Sequence, residues 1–281
     1  MEYLNKVFFE NSQHMKEIPN NSIDLIITSP PYFNVKDYSK NWTQTVQHSE
    51  KEAWQIWDIW NYQIFIKELL KVRKECERVL KPNGKLVINT PLMPMIKSHL
   101  NTHYNRHIFD INSDIQHSIL YRKWTKMFLL DTYIRHRTNW SKKLMFWSYP
   151  YPRNFYAQNT SEFVTVYVKD GQPINGVSPE LKEKSKLTQE EWVNYTKQIW
   201  DIPIPNKSDL AFWEHSAIMP EEIVRRCIKL YSFVWDVVLD PFTGSWTTLK
   251  VAKELERNYV WYEIMTEYKK IIDLKLKSAK W

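Results

Sequence analysis

Apolar positions along the chain fall into two recurring arrangements. Short, nearly unbroken apolar runs occur as IDLIIT (23–28), LVINT (86–90), VVLD (237–240) and NYVWYE (258–263). Runs of this length, bounded by polar turns, predict buried strands. KVFFENS near the amino end, MFLLDTYIRH (127–136) and SEFVTVYVKD (161–170) predict three more. Between the runs the period changes to 3.6 residues. Over 62–80, Tyr62, Ile66, Leu69, Arg73, Cys76 and Leu80 share one stripe, so an amphipathic helix is expected there. KPNGK closes it, with Gly84 near the turn. Helices are also expected over 220–232, 247–256 and 266–278. Strands alternating with helices predict an α/β fold with a mostly parallel sheet and helices on both faces.

Three stretches break the pattern. Residues 34–60 are polar and punctuated by tryptophan, and read as a long loop. Residues 92–125 are irregular and rich in His, Asn and Lys, with helix expected near 113–123. Residues 171–212 are rich in Pro, Lys and Asn and read as an insertion or linker with one short helix around 188–198.

The length, 281 residues, suits one large domain or two small ones. No window approaches 18 consecutive apolar residues, so no membrane span is expected. The start, MEYLNKVFFENSQ, lacks the pattern of a signal peptide. The two cysteines, Cys76 and Cys227, fall in helical patterns. That argues against a disulfide scaffold or a zinc site and for a reducing compartment, with the cytoplasm expected. A formal charge of +7 suits a polyanionic partner but does not by itself choose nucleic acid.

Chemistry concentrates in two strand-end loops. TSPPY, Thr28 to Tyr32, follows the strand IDLIIT. Ser29 supplies a hydroxyl, Pro30 and Pro31 fix the backbone so that a carbonyl points to one place, and Tyr32 offers a π face. This set suits methylation of an exocyclic amine on a base. The lone pair of such a nitrogen is conjugated into the ring, and acceptors on its hydrogens push it toward tetrahedral geometry and free the pair. Tyr32 would stack on a base flipped from the helix. An ordinary proline turn is the plain alternative. Placement at the carboxyl end of a buried strand, where α/β folds bind ligands, favours the functional reading. The second loop is DPFTGSWTT (240–248), between a strand and a helix, the frame of a cofactor-binding turn.

Together the two loops resemble the amino-methylating DNA methyltransferases, the N4-cytosine/N6-adenine family. HSAIMPEEIVRRCIKLYS before the second loop, and NYVWYEI after it, resemble further segments of that family. The order, catalytic loop first and cofactor loop last, matches the group called beta. The resemblance runs from about 5 to 275 and is weakest at 92–125 and 171–212. It implies a Rossmann-like fold dependent on S-adenosylmethionine, in a single methylase domain over 1–281. The same resemblance implies double-stranded DNA with a flipped base as partner, and a cognate restriction endonuclease as a candidate one. By position, Ser29, Pro30, Pro31 and Tyr32 would hold the target base. Asp240, Phe242, Gly244 and Ser245 would line the cofactor site, Glu263 would bind the ribose hydroxyls, and His215 would pack near the methionine end. For Glu263 the plain alternative is a solvated carboxylate. For His215 it is a structural loop histidine, since Ser216 stands where the family usually has proline. Ser29 leans toward cytosine N4, because adenine N6 enzymes more often carry an acid there. Asn11 and Ser12 stand where an acid often follows the family's third cofactor strand. DNA sequence recognition is expected from 92–125 and 171–212, with 34–60 as a clamp. Lys36, Lys40, Lys142, Lys143 and Arg153 are candidate phosphate contacts, although a solvated surface charge is the simpler reading of any one of them. A methyltransferase acting on RNA or protein, and an inactive methylase fold that only binds DNA, remain alternatives.

Glycine and tryptophan usage is abnormal. There are 4 glycines and 14 tryptophans, where an average chain of this length carries about 20 glycines. Trp235, Trp246 and Trp261 stand where glycine is expected: a tight helix-to-strand turn, a turn facing the cofactor and a mid-strand close approach. Trp57 and Trp147 also sit at expected glycine positions. A UGA codon, read as glycine in some bacterial lineages and as tryptophan under common alternative tables, would account for all of them. Arg73 and Arg135 raise a weaker version of the same question, with tryptophan expected in their place. Trp192 and Trp200 read as true tryptophans. The alternative is a divergent protein with a degraded cofactor site.

Overall fold

The computed structural model describes residues 2–31, 33, 56, 59, 61–96, 106–121, 123, 125–138, 150–153, 157–173, 176–205, 218–244, 246–269 and 272–273. Ten strands are assigned among them: β1 Lys6–Phe8, β2 Ile23–Thr28, β3 Leu80–Pro91, β4 Met93–Ile96, β5 Arg106–Phe109, β6 Met127–His136, β7 Ser161–Lys169, β8 Ile199–Asp201, β9 Val237–Asp240 and β10 Asn258–Tyr262. The helices are α1 Tyr62–Val79, α2 Ile111–Leu120, α3 Pro179–Lys184, α4 Gln189–Tyr195, α5 Glu221–Tyr231 and α6 Thr247–Glu254.

Eight strands form one sheet in the order β1-β10-β9-β2-β3-β7-β6-β8. The first five are mutually parallel. β7 runs antiparallel to both β3 and β6, and β8 joins the far edge parallel to β6. Chain order reverses between β9 and β2. After β9 the chain moves outward through β10, whereas after β2 it moves the other way through β3. Such a switch point leaves a crevice at the carboxyl ends of the two strands, where α/β sheets bind ligands.

The central strands are apolar on both faces because both are covered. One core packs α1 and α2 against one face, with Phe65, Leu69, Val72, Ile115, Leu86 and Leu239 buried together. The other packs α5 and α6 against the opposite face, with Ile223, Val224, Leu249, Leu25, Val238 and Trp261. At about 25 cal/mol per Å² of apolar area removed from water, two such cores supply the main stabilising term.

α1 is capped by Asn61, whose side chain accepts from the Ile64 N–H at 3.1 Å. Its buried face is Phe65, Leu69, Val72, Arg73, Cys76 and Val79. The stripe is therefore rotated from the expected one: Tyr62 and Ile66 lie at its margin, half-buried. The 92–125 stretch contains a two-stranded antiparallel ribbon, β4 with β5, besides α2. The 171–212 stretch carries α3, α4 and the edge strand β8, so part of it is woven into the main sheet. Past β10 the chain forms a 3-10 turn at Thr266–Tyr268 and is helical at Lys269 and at Ile272 and Asp273, within the helix expected over 266–278. Among the described residues no helix is long and apolar enough to cross a membrane.

Candidate active site at the switch point

β2 and β9 end side by side, which brings the two sequence loops together. Thr28 closes β2, and its hydroxyl donates to Asp240 Oδ1 at 2.9 Å. The Phe242 N–H donates to the same oxygen at 3.0 Å, and Thr248, in the first turn of α6, donates to Oδ2 at 3.0 Å. Asp240 is thus a buried acceptor that joins the end of β2, the second loop and the start of α6. The loop is also tied to β10, since Thr243 donates both its N–H and its hydroxyl to the Tyr262 carbonyl, at 3.2 and 2.6 Å. Gly244 lies in the left-handed region at φ 38°, where a residue without Cβ is unstrained.

On the β2 side, the Ser29 hydroxyl donates to the Asn89 carbonyl at 3.1 Å. Pro30 is buried and Pro31 half-buried. Phe33 anchors the loop beyond them, with its ring 5.3 Å from those of both Tyr62 and Phe65 and 6.2 Å from that of Phe109. An apolar cleft runs between the loops, lined by Thr28, Pro30, Phe242, Arg73, Cys76 and Ile88. Arg73 pairs with Glu77 at 2.9 Å. Arg135 is buried with its guanidinium on Glu162 (2.8 Å) and on the carbonyls of Ile202 and Pro203. Both arginines therefore find carboxylates, and nothing in these contacts asks for tryptophan.

Glu263 follows β10. Its N–H donates to the Phe8 carbonyl at 3.0 Å, and its Oε1 accepts from the Met265 N–H at 2.9 Å. We propose that this carboxylate, held beyond the strand adjacent to β9, accepts from a diol. Replacing Glu263 by Gln is expected to raise the KM for a ribose-bearing donor about 10- to 100-fold with a smaller change in kcat. That range corresponds to losing about 1.5–3 kcal/mol of charge-assisted hydrogen bonding, and initial rates across a donor titration check it.

Burial drives the electrostatics. It pushes the Asp240 carboxyl up to about 7, against the pull of its three donors and with Glu263 adding repulsion. Burial, then the neighbouring Asp24, pushes Asp236 up to about 6. An acid whose folded pKa exceeds its unfolded value of about 3.9 binds a proton on folding between the two values. Stability from these groups is therefore fully present below about pH 3.9, falls as pH rises from there to about 6–7 and then levels. The lowered carboxylates Glu68, Glu75 and Glu191 act oppositely, below their ordinary range. The Tm is expected to drop between pH 5 and pH 8, with a shallower slope in Asp240→Asn, measured by thermal melts.

Both cysteines are buried helix residues. Burial pushes the Cys76 thiol up to about 12 and raises Cys227 as well. Neither is a ready thiolate, so the covalent thiolate chemistry needed to methylate a pyrimidine ring carbon has no nucleophile here.

Among the sequence-predicted site residues, Ser29, Pro30, Pro31, Asp240, Phe242 and Gly244 lie on the two adjoining loops, and Glu263 follows β10, one strand away. Tyr32, Ser245 and His215 lie outside the described residues, as do Lys36, Lys40, Lys142, Lys143, Trp57 and Trp147. Arg153 is exposed, in a turn with φ 82°. Sequence reasoning missed Thr28 and Thr248 as partners of Asp240, and Asn89 as the acceptor for Ser29. Hydroxyls flanking a buried strand-end acid were the available signal for the first two.

The family model for DNA methylase, of the N6/N4 methyltransferases, matches residues 23–274. The chain belongs to the DNA methylase family. This methylase is 29% identical over 285 aligned residues to the Type II methyltransferase M.MjaI of Methanocaldococcus jannaschii, covering 96% of this chain and 90% of that protein. It is 27% identical over 278 residues to the DNA adenine methyltransferase YhdJ of Escherichia coli, covering 92% and 77%. Its fold is similar to that of a putative DNA modification methylase from Thermus thermophilus, solved in complex with S-adenosyl-L-methionine. The two share a TM-score of 0.74 and 25% identity over 98% of this chain and 94% of that one. The expected Rossmann-like methyltransferase fold is thereby met.

The residues at the switch point fit a sulfonium-bearing nucleoside only in part. Glu263 offers a strand-end carboxylate and Phe242 a ring beside the loop that Asp240 ties together. Trp246 does not fit. It is fully buried, and its indole packs on Tyr268 (5.2 Å between rings) and Ile272, with Val7, Phe9, Ile218 and Met265 around them. Phe9 and Met265 follow the carboxyl ends of β1 and β10, so the indole fills space on the ligand side of the sheet.

Proposed function

We propose that this methylase transfers a methyl group from S-adenosylmethionine to an exocyclic amine of a base flipped from double-stranded DNA, with cytosine N4 the favoured target. The observation that carries the reading is the Ser29 hydroxyl. Its proton is given to the Asn89 carbonyl, so toward an amine hydrogen Oγ would act as an acceptor rather than a donor. Pro30 and Pro31 hold the loop backbone so that a carbonyl can accept from the amine without reorganising. Two acceptors of this kind draw the amine toward tetrahedral geometry and release its lone pair. No strong base is required, because the amine proton becomes strongly acidic once nitrogen carries four bonds.

S-adenosylmethionine supplies an electrophilic methyl group. Glu263 would accept from its ribose hydroxyls, Asp240 fixes the loop against which it lies, and Phe242 and Gly244 shape that loop. Ser245 and His215 are proposed to line the same site, and Tyr32 to stack on the flipped base. Residues 92–125 and 171–212 are proposed to read the DNA sequence. Adenine N6 is the second reading, favoured by the similarity to YhdJ. Serine rather than an acid at position 29 favours cytosine.

Incubation of the chain bearing glycine at 235, 246 and 261 with methyl-labelled S-adenosylmethionine and DNA, RNA or protein acceptors tests the reading. Label is expected in DNA alone. Label in RNA or protein but not DNA would replace it with another amine methyltransferase, and DNA binding without transfer would support an inactive binding fold.

A further inference from the structure

We infer that residues 235, 246 and 261 are glycines in the protein the source cell makes, and that glycine at 246 opens the methyl-donor site. The second half rests on the methyltransferase reading above. Trp235 and Trp246 adopt φ of 69° and 56°, the left-handed region. Bulky side chains rarely enter it, because Cβ crowds the following carbonyl. Among the other non-glycine residues there, Asn5, Asn21 and Asn83 are of the type that tolerates it, and Arg153 and Glu256 sit on exposed turns. Trp246 is the buried case. It is also the N-cap of α6 without a side-chain cap hydrogen bond, a position that glycine occupies readily and large side chains do not.

Trp261 carries independent evidence. It is paired in mid-strand between Asp240 of β9 and Val7 of β1. It is fully buried beneath α5 and α6, and its indole N–H has no hydrogen-bond partner among the described residues. Trp200 shows what a buried tryptophan in this fold looks like when its environment was built for it. Its indole N–H donates to the Tyr195 carbonyl at 3.1 Å, and its ring stacks on Tyr133 at 4.3 Å. A buried donor without an acceptor is rare in native proteins.

A single cause covers all three sites. A UGA codon read as glycine places glycine wherever that codon falls. It also explains a chain with 4 glycines and 14 tryptophans. Independent substitution would have to hit a turn, a helix cap and a strand interior with the same residue.

Peptide mass spectrometry on the protein isolated from its source cells decides the identities. Peptides spanning 235, 246 and 261 are expected to carry glycine residue masses at those positions. Tryptophan at 246 in the cellular protein would overturn the inference. Isothermal titration with S-adenosylhomocysteine then compares the chain bearing W235G, W246G and W261G with the chain as written, and with one bearing W235G and W261G alone. At least tenfold tighter binding is expected only when position 246 is glycine. Equal binding by all three would overturn the claim that residue 246 controls the site. Glycine in the cellular peptides with no binding by any of them would instead overturn the methyl-donor reading and leave the identities standing.

Discussion

Replacing Asp240 by Ala is expected to cost about 3 kcal/mol of folding stability and to abolish methyl transfer. Three donors converge on this carboxylate: the hydroxyls of Thr28 and Thr248 and the Phe242 N–H. Each would be left in a buried site without its acceptor, at roughly 1–3 kcal/mol apiece. The gross loss is partly offset, because the ionised acid is itself poorly solvated, as its pKa near 7 shows. Activity is lost for a geometric reason. Asp240 is the acceptor through which the end of β2, and hence Ser29 and Pro30, is bonded to the proposed cofactor loop. Asp240→Asn keeps an acceptor oxygen and nearly the same shape, so it should lose only about 1 kcal/mol near neutral pH. Urea unfolding of both variants gives the two numbers. If Ala and Asn prove equally mild, the three-donor junction is not what holds the loops together.

Ser29→Ala is expected to act on rate with little effect on the fold. Removing a pre-oriented acceptor at a reacting group lowers kcat by about 100- to 1,000-fold, by analogy with the loss of one oriented hydrogen-bonding group from a reaction centre. The fold should barely notice. Ser29 is only partly buried, and loss of its hydrogen bond to the Asn89 carbonyl should remove about 1 kcal/mol. The KM for DNA should move little, since the base is also to be held by stacking and by the loop backbone. Single-turnover rates with saturating DNA and donor isolate the chemical step. An unchanged single-turnover rate would remove Ser29 from the chemistry and leave it as a loop residue.

Much of this site was legible in the sequence because its parts sit where strands end, and strands buried on both faces announce themselves. IDLIIT is β2, residue for residue; MFLLDTYIRH is β6 with the same bounds, although its Phe128–Leu130 segment is exposed. The loops after β2 and β9 adjoin because those strands flank the reversal of chain order, which alternation of strands and helices allows but does not place. What escaped was non-local. β8 has three residues and is a strand only through its pairing with β6. The β4–β5 ribbon pairs across residues 97–105, with no turn signature to announce it. The α1 stripe came out rotated because Phe65, Val72 and Val79 also face the sheet, and a helix against a sheet buries a wider arc than one line of positions. The tryptophans show the opposite case. The pattern asked for glycine at 235 and 246, and the backbone there takes the conformation glycine favours.

The most direct test of amine methylation is the identity of the modified nucleoside. The chain with glycine at 235, 246 and 261 is incubated with unmethylated double-stranded DNA and labelled S-adenosylmethionine, and the DNA is digested to nucleosides and separated. Label is expected in N4-methylcytidine of the deoxy series, with N6-methyldeoxyadenosine the result that would move the target to adenine. Label on a ring carbon, as 5-methyldeoxycytidine, would contradict amine methylation outright.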